Sequence, residues 1–189
     1  MKKIRAFLAV ELVEGLRERA LALVQELAAA DADVHWVTPE NLHITVKFLG
    51  DIDDVESWRV SQALEPIVKR SRRFDLTLGG VGAFPDLERP RALWVGVTAG
   101  EAPFVELAER IETKMRELAY PGERRRFHPH LTIGRVKGPK GKSSLQQKMQ
   151  QLARAELGSM KVEAVSLFSS QLRKKGPLYA RMATLRLGR

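Results

Sequence analysis

A chain of 189 residues with 44% hydrophobic content can bury one good-sized core or two small lobes that share an interface. The absence of cysteine excludes a disulfide framework, a thiolate nucleophile and any cysteine-ligated zinc or iron–sulfur site. The net charge of +9, spread over residues 69–73, 124–126, 137–142 and 173–175, points to a polyanionic partner, with RNA, DNA and acidic membrane surfaces all open.

Residues 3–10 read as a first strand, and the opening apolar stretch meets Glu11 where a signal peptide would continue apolar, so a cytoplasmic location is the default expectation. No apolar run approaches the length of a membrane span. From about residue 12 to 30 the pattern is helical, with Leu16, Ala20, Leu23, Val24 and Leu27 on one stripe. His35-Trp36-Val37 is a short extended piece with His35 in a structural role, Thr38 to Asn41 a turn, and residues 42–49 a strand closed by Gly50-Asp51. Asp53 or Asp54 caps a second helix that runs to about Arg70, its last turns bent or shortened by Pro66.

Strands follow at residues 74–81 and 92–97, separated by a Pro/Gly-rich loop at 82–90 that is a candidate specificity element. Pro103 suits the first turn of a third helix ending near Tyr120, with Phe104, Leu107, Ile111, Met115 and Leu118 as its buried stripe. A basic loop leads to a strand at 127–136. Ser143 with Gln146 resembles a capping box for a fourth helix extending to about Leu157, and strands near 162–168 and 179–187 close the chain around a basic turn. The order nearly repeats itself. It predicts an α+β, bilobal, pseudo-twofold architecture: two mostly antiparallel sheets with flanking helices around a central cleft.

The most informative feature is His43-Ile44-Thr45-Val46 and His130-Leu131-Thr132-Ile133, one pattern twice among only four histidines. On a strand, His and Thr two apart share a face, roughly 6.6–7 Å from each other, while the apolar residues point to the core. Each segment thus offers an imidazole and a hydroxyl, and two such strands can close around a small anion. His128 and His130 could bind zinc from one face, but no carboxylate or third histidine nearby completes the set, so no metal is expected and His128 is read as a surface or supporting residue. The glycines in Gly138-Pro139-Lys140-Gly141-Lys142-Ser143 are too closely spaced for a P-loop. Phe48, Phe84, Trp36 and Trp94 are candidates for a base-stacking surface, each with a plausible core role instead.

Around these motifs the sequence resembles the two-histidine (2H) phosphoesterase superfamily, and within it the RNA 2′,3′-cyclic phosphodiesterase family, also called 2′-5′ RNA ligases. The resemblance spans nearly the whole chain. It includes Arg5-Ala6-Phe7-Leu8-Ala9-Val10, the run from Trp36 to Gly50, Gly82-Ala83-Phe84-Pro85, the run from Arg89 to Gly96, and Phe127 to Val136. It implies that residues 1–189 form a single 2H domain of two intertwined lobes. The implied activity is hydrolysis of a terminal 2′,3′-cyclic phosphate to a 2′-phosphate, with no cofactor and no metal, on RNA ends such as those of tRNA, by a monomer.

By the same resemblance His43 is the acid that protonates the 3′ oxygen and His130 the base that activates water; spacing alone does not order the two. Thr45 and Thr132 would donate to the non-bridging phosphate oxygens, and Arg135, at the family's arginine position, would clamp the phosphate. Strict alternation puts Arg135 on the face opposite His130, so Gly134 must allow a bulge. A 5′-hydroxyl in place of water would give 2′-5′ ligation on the same residues. The alternatives are a 2H phosphodiesterase acting on a small cyclic nucleotide phosphate, and a basic RNA-binding module without catalysis.

Overall fold

The computed structural model describes residues 3–123, 126–173 and 176–189. Arg124, Arg125, Lys174 and Lys175, which belong to two of the basic runs, lie outside them, as do Met1 and Lys2.

Strand β1 (Ile4–Glu11) lies between β3 (His43–Ile52) and β8 (Ala164–Arg173) and is buried from Ala6 to Val10: Ala6, Leu8 and Val10 enter the core, and Phe7 is covered on the other face by Phe48, Phe168 and Tyr179. Between β1 and β3 lie helix α1 (Glu14–Ala28), the short β2 (Val34–Trp36) and a 3₁₀ turn at Pro39–Asn41. The buried side chains of α1 are the five of the expected stripe, Leu16, Ala20, Leu23, Val24 and Leu27. Helix α2 (Asp54–Arg70) opens on a reciprocal cap: the Glu56 amide donates to Asp53 Oδ1 and the Asp53 amide to Glu56 Oε2, both at 2.9 Å. Pro66 does not shorten this helix, whose Leu64 and Val68 stay fully buried through the last turns.

Strand β4 (Phe74–Phe84) outlasts its expected end, so Gly82, Ala83 and Phe84 belong to the ladder with β5 (Ala92–Ala99) rather than to the loop. Helix α3 (Glu101–Glu117) stops before Leu118, which is exposed instead of joining the buried stripe. Strand β6 (Leu131–Val136) is shorter than expected: Phe127 to His130 make no ladder, and Pro129 has no N–H to give one. Helix α4 (Lys142–Gln151) is not capped by Ser143. It starts after Gly141 in the left-handed conformation (φ 67°), and Gln146 donates instead to the Leu87 carbonyl at 2.6 Å. Nor does it reach Leu157; Glu156–Val162 is an extra strand, β7, paired along β4. The chain turns through Leu152 to Ala155, where the Ala155 amide donates to the Leu152 carbonyl at 2.9 Å, and Glu156 and Leu157 open the strand along the edge of β4. Strands β8 and β9 (Gly176–Arg186) form the closing hairpin.

The sheet order is β7-β4-β5-β6-β3-β1-β8-β9, with β2 also on β6, and every ladder between these strands is antiparallel. The arms β6-β5-β4-β7 and β3-β1-β8-β9 meet at a single ladder pair, Ile44 opposite Leu131, so the two expected sheets are continuous through one contact. Each motif strand is the inner strand of its arm. Helix α1 packs against β7 and α4, and α2 against β8, β9 and α3. One contiguous cluster of buried side chains runs behind both arms, leaving the other face of the junction for the two motifs.

Candidate active site

The junction pair explains how the two motifs meet. Ile44 and Leu131 are 0% exposed and face the core. Stepping one residue either way in an antiparallel register sets His43 beside Thr132 and Thr45 beside His130, all four on the face opposite the core. Positions opposite each other on adjacent strands stand ~4.5–5.5 Å apart. All four of these residues are half-buried.

Both imidazoles are held by the same local device. His43 Nδ1 lies 2.7 Å from the Asn41 carbonyl, and His130 Nδ1 lies 2.7 Å from the His128 carbonyl, in each case two residues back along the chain. A carbonyl only accepts, so Nδ1 carries the hydrogen and Nε2 is the acid/base position on both rings. His43 Nε2 is 3.1 Å from Thr45 Oγ1.

The surroundings of the two rings differ. Phe7 stacks on His43 with centroids 4.8 Å apart, and Tyr179 meets it edge-on at 5.3 Å. Behind it is a cavity of about 30 Å³, room for about one water, lined among others by Glu11, Arg17 and Glu40. Burial pushes the His43 pKa below the usual 6.5, while the Asn41 carbonyl bond and the Glu11 charge act the other way. Glu11 stands directly opposite His43 on β1 and is itself held by Ser166 (2.8 Å) and Arg181 (3.1 Å). His130, by contrast, has the edge of Phe84 at 5.0 Å, and Phe84 leans on Trp94 at 5.3 Å. Trp94 is the cross-strand partner of Thr132.

A bulge follows the threonine on each motif strand. On β3, Thr45 faces Ala9 but Lys47 faces Leu8, so Val46 is an extra residue; on β6, Thr132 faces Trp94 but Gly134 faces Leu93, so Ile133 is extra. The consequence for Arg135 is decisive. Its partner is Ala92, two residues from Trp94, so Arg135 returns to the face that carries Thr132. On β3 the corresponding position is Phe48, 61% exposed. Of the other aromatic candidates, Phe84 is 41% exposed, Trp94 is half-buried, and Trp36 packs against Gly134.

Sequence reasoning missed Tyr179, which arrives from β9. Burial raises the pKa of its hydroxyl, and the positive charge of Arg135 partly offsets that, which links the two arms across the cleft. His35 is exposed and opposite Arg135, rather than packed as a structural residue, because β2 is a three-residue edge strand. His128 is exposed, with Nδ1 3.7 Å from Glu101 Oε1. Among the described residues, no group of three or more His, Asp or Glu side chains is gathered as a metal site. Among the described residues no helix is long and apolar enough to cross a membrane.

The family model of the 2′-5′ RNA ligase superfamily matches residues 6–173. The chain belongs to that superfamily. Its relatives include a protein of Methanothermobacter thermautotrophicus named RNA 2′,3′-cyclic phosphodiesterase, 38% identical over 98% of this chain and 100% of the relative. An Aquifex aeolicus protein of the same name is 32% identical over the full length of both. With relatives of this kind the chain is an enzyme of the 2H phosphoesterase type. In fold it is similar to a crystal structure from Thermus thermophilus (TM-score 0.82, 26% identity, 97% of each chain) and to E. coli LigT complexed with 3′-AMP (TM-score 0.80, 23% identity, 100% of each chain).

Proposed function

We propose that this superfamily member hydrolyses RNA 2′,3′-cyclic phosphate ends to 2′-phosphomonoesters, with His43 and His130 as an acid/base pair. The observation that carries the reading is the junction: two His/Thr half-sites, each with Nδ1 tied to a backbone carbonyl and Nε2 left for proton transfer, brought side by side at Ile44 and Leu131. The relatives named RNA 2′,3′-cyclic phosphodiesterase support the substrate class, and the net charge of +9 supports a polyanion.

Opening the ring needs a proton removed from the attacking water and one delivered to the departing ribose oxygen. His130 Nε2 takes the water proton as the new P–O bond forms. The P–O3′ bond breaks on the opposite side, and His43 Nε2–H protonates O3′, leaving the phosphate on O2′. Thr45 and Thr132 hydroxyls and the Arg135 guanidinium donate to the non-bridging oxygens, where charge builds in the transition state. The pKa of free His43 disfavours the acid form. The phosphate anion, arriving beside a ring that Glu11 already supports, raises it. With a 5′-hydroxyl in place of water the same groups form a 2′-5′ linkage, and cleavage of that linkage uses them in swapped roles.

Two imidazoles supply both proton transfers, which supports a metal-independent reaction without a cofactor. Both half-sites come from one chain, so a monomer suffices; with RNA ends, those of tRNA among them, as substrate, the working compartment is the cytoplasm. Exposed Phe48 is placed to stack on the terminal base.

The test is an oligoribonucleotide ending in 2′,3′-cyclic phosphate, incubated in chelator beside 2′,3′-cyclic AMP. The expected product is an oligonucleotide with a 2′-phosphate. An intact oligonucleotide beside a consumed mononucleotide would assign the enzyme to small cyclic nucleotides. Binding without turnover of either would make it an RNA-binding module.

A further inference from the structure

Lys47 is 3% exposed, the only buried charged side chain among the described residues. The bulge at Val46 turns it to the face of Leu8, so its chain enters the core two residues beyond Thr45. There Nζ meets Glu112 Oε2 of α3 at 2.7 Å and the Pro121 carbonyl at 2.9 Å. The other oxygen of Glu112 accepts from the Glu123 amide (2.9 Å) and from Arg116 (3.0 Å). Burial raises the Glu112 carboxyl, but the bonds from Lys47, the Glu123 amide and Arg116 outweigh it and hold the group below the usual carboxylate range.

Burying a lysine against a half-buried glutamate is a poor way to stabilise a core, since apolar residues of the same volume do as well or better. What this pair does is fix geometry. Pro121 and Glu123 begin the stretch that ends in the second motif. Its far end rests on the same helix, through Phe127 against Phe104 at 5.5 Å and His128 near Glu101. The His128 carbonyl in turn orients His130. At the matching place on β6 stands Gly134, whose side-chain space is filled by Val34 and Trp36, so the two half-sites, alike in His and Thr, differ here.

We propose that Lys47 and Glu112 form a strut that positions His130 against the first motif: Lys47 ties β3 to α3, the helix on which Phe127 and His128 also rest, and acts on catalysis only through the placement of that imidazole. This rests on the phosphodiesterase reading for its kinetic readout, but not for its spectroscopic one.

The test is Lys47→Met with Glu112→Leu, an apolar pair of similar size, compared with Lys47→Arg. The double variant should melt at or above the wild-type temperature. Yet its kcat should fall by about 10–100-fold with a smaller change in KM, as expected for a misplaced catalytic group. In histidine ¹H–¹³C NMR spectra the His128 and His130 signals should shift or broaden while His43 and His35 stay in place; Lys47→Arg should restore most of both properties. Wild-type kcat, or an unmoved His130 signal, in the folded double variant overturns the strut. If that variant does not fold, Glu112→Gln, which keeps the oxygen and loses the charge, is read by the same His130 criterion. Should wild type itself leave the cyclic phosphate intact, the functional reading fails and the His130 signal still decides the strut.

Discussion

Gly82→Ala is a methyl group added in β4, far from either motif in sequence, and the structure puts a size on its effect. An alanine Cβ at position 82 would lie 2.3 Å from Cη2 and Cζ2 of Trp94 and 2.8 Å from Cε2. Ordinary carbon contacts are ~3.5–4.0 Å, so the indole must retreat by roughly 1 Å or more. Overpacking of that kind costs about 1–3 kcal/mol, and for a chain of this length each kcal/mol lowers Tm by about 2–4 °C. Because Trp94 faces Thr132 and braces Phe84, which meets His130, the displacement is passed to the cleft wall. A shift near 1 Å in catalytic geometry costs up to about 10²-fold in rate. Thermal melting and kcat on a cyclic-phosphate oligonucleotide measure the two effects. Gly15→Ala is the control: its Cβ meets nothing nearer than Arg19 Nη1 at 4.0 Å, and in the first turn of α1 it should stabilise by about 0.4–1 kcal/mol, by restricting the unfolded chain, without touching kcat. A Gly82→Ala protein with wild-type Tm and wild-type turnover would refute the reasoning.

Thr45→Val keeps the β-branched shape on β3 and removes one hydroxyl donor, so kcat should drop by about 10²–10³ with little change in Tm; an unchanged kcat would remove Thr45 from the phosphate site. In Glu11→Gln the charge that raises His43 is gone, so the His43 pKa falls further and the limb of the pH–kcat/KM profile belonging to it moves to lower pH. An unmoved limb would disconnect Glu11 from the ring. Folding stability should also report His43. Its folded pKa lies below the unfolded 6.5, so its contribution is present above that value and is lost as pH falls from 6.5 toward the folded pKa. Urea unfolding across that window should show a shallower loss in His43→Gln than in wild type.

The parts of the fold that are visible in the sequence are those set by neighbours along the chain. The α1 stripe, a cap at Asp53 or Asp54 and the alternation in both motifs depend on spacings of two to four residues; the structure has the stripe and the alternation and settles the cap on Asp53. What was not visible depends on partners far away. β7 pairs along the edge that β4 offers, from Phe74 opposite Val162 to Gly79 opposite Glu156, a partner about 80 residues back in the chain. The bulge at Val46 arises from pairing with β1 and sends Lys47 into the core, and the bulge that Arg135 requires, expected at Gly134, falls one residue earlier at Ile133 because β6 pairs with β5 there. Tyr179 reaches His43 only because the closing hairpin returns to β1, and nothing near either motif foretells it.

The central claim is that His43 and His130 work as one acid/base unit. Its most direct test is the single-turnover rate on a 2′,3′-cyclic-phosphate oligonucleotide for wild type, His43→Ala, His130→Ala and the double variant. Each single variant should lose at least about 10²-fold, and the double should lose little more than either, because groups that act together are not additive. Near-wild-type turnover in either single variant, or losses that simply multiply in the double, would contradict it.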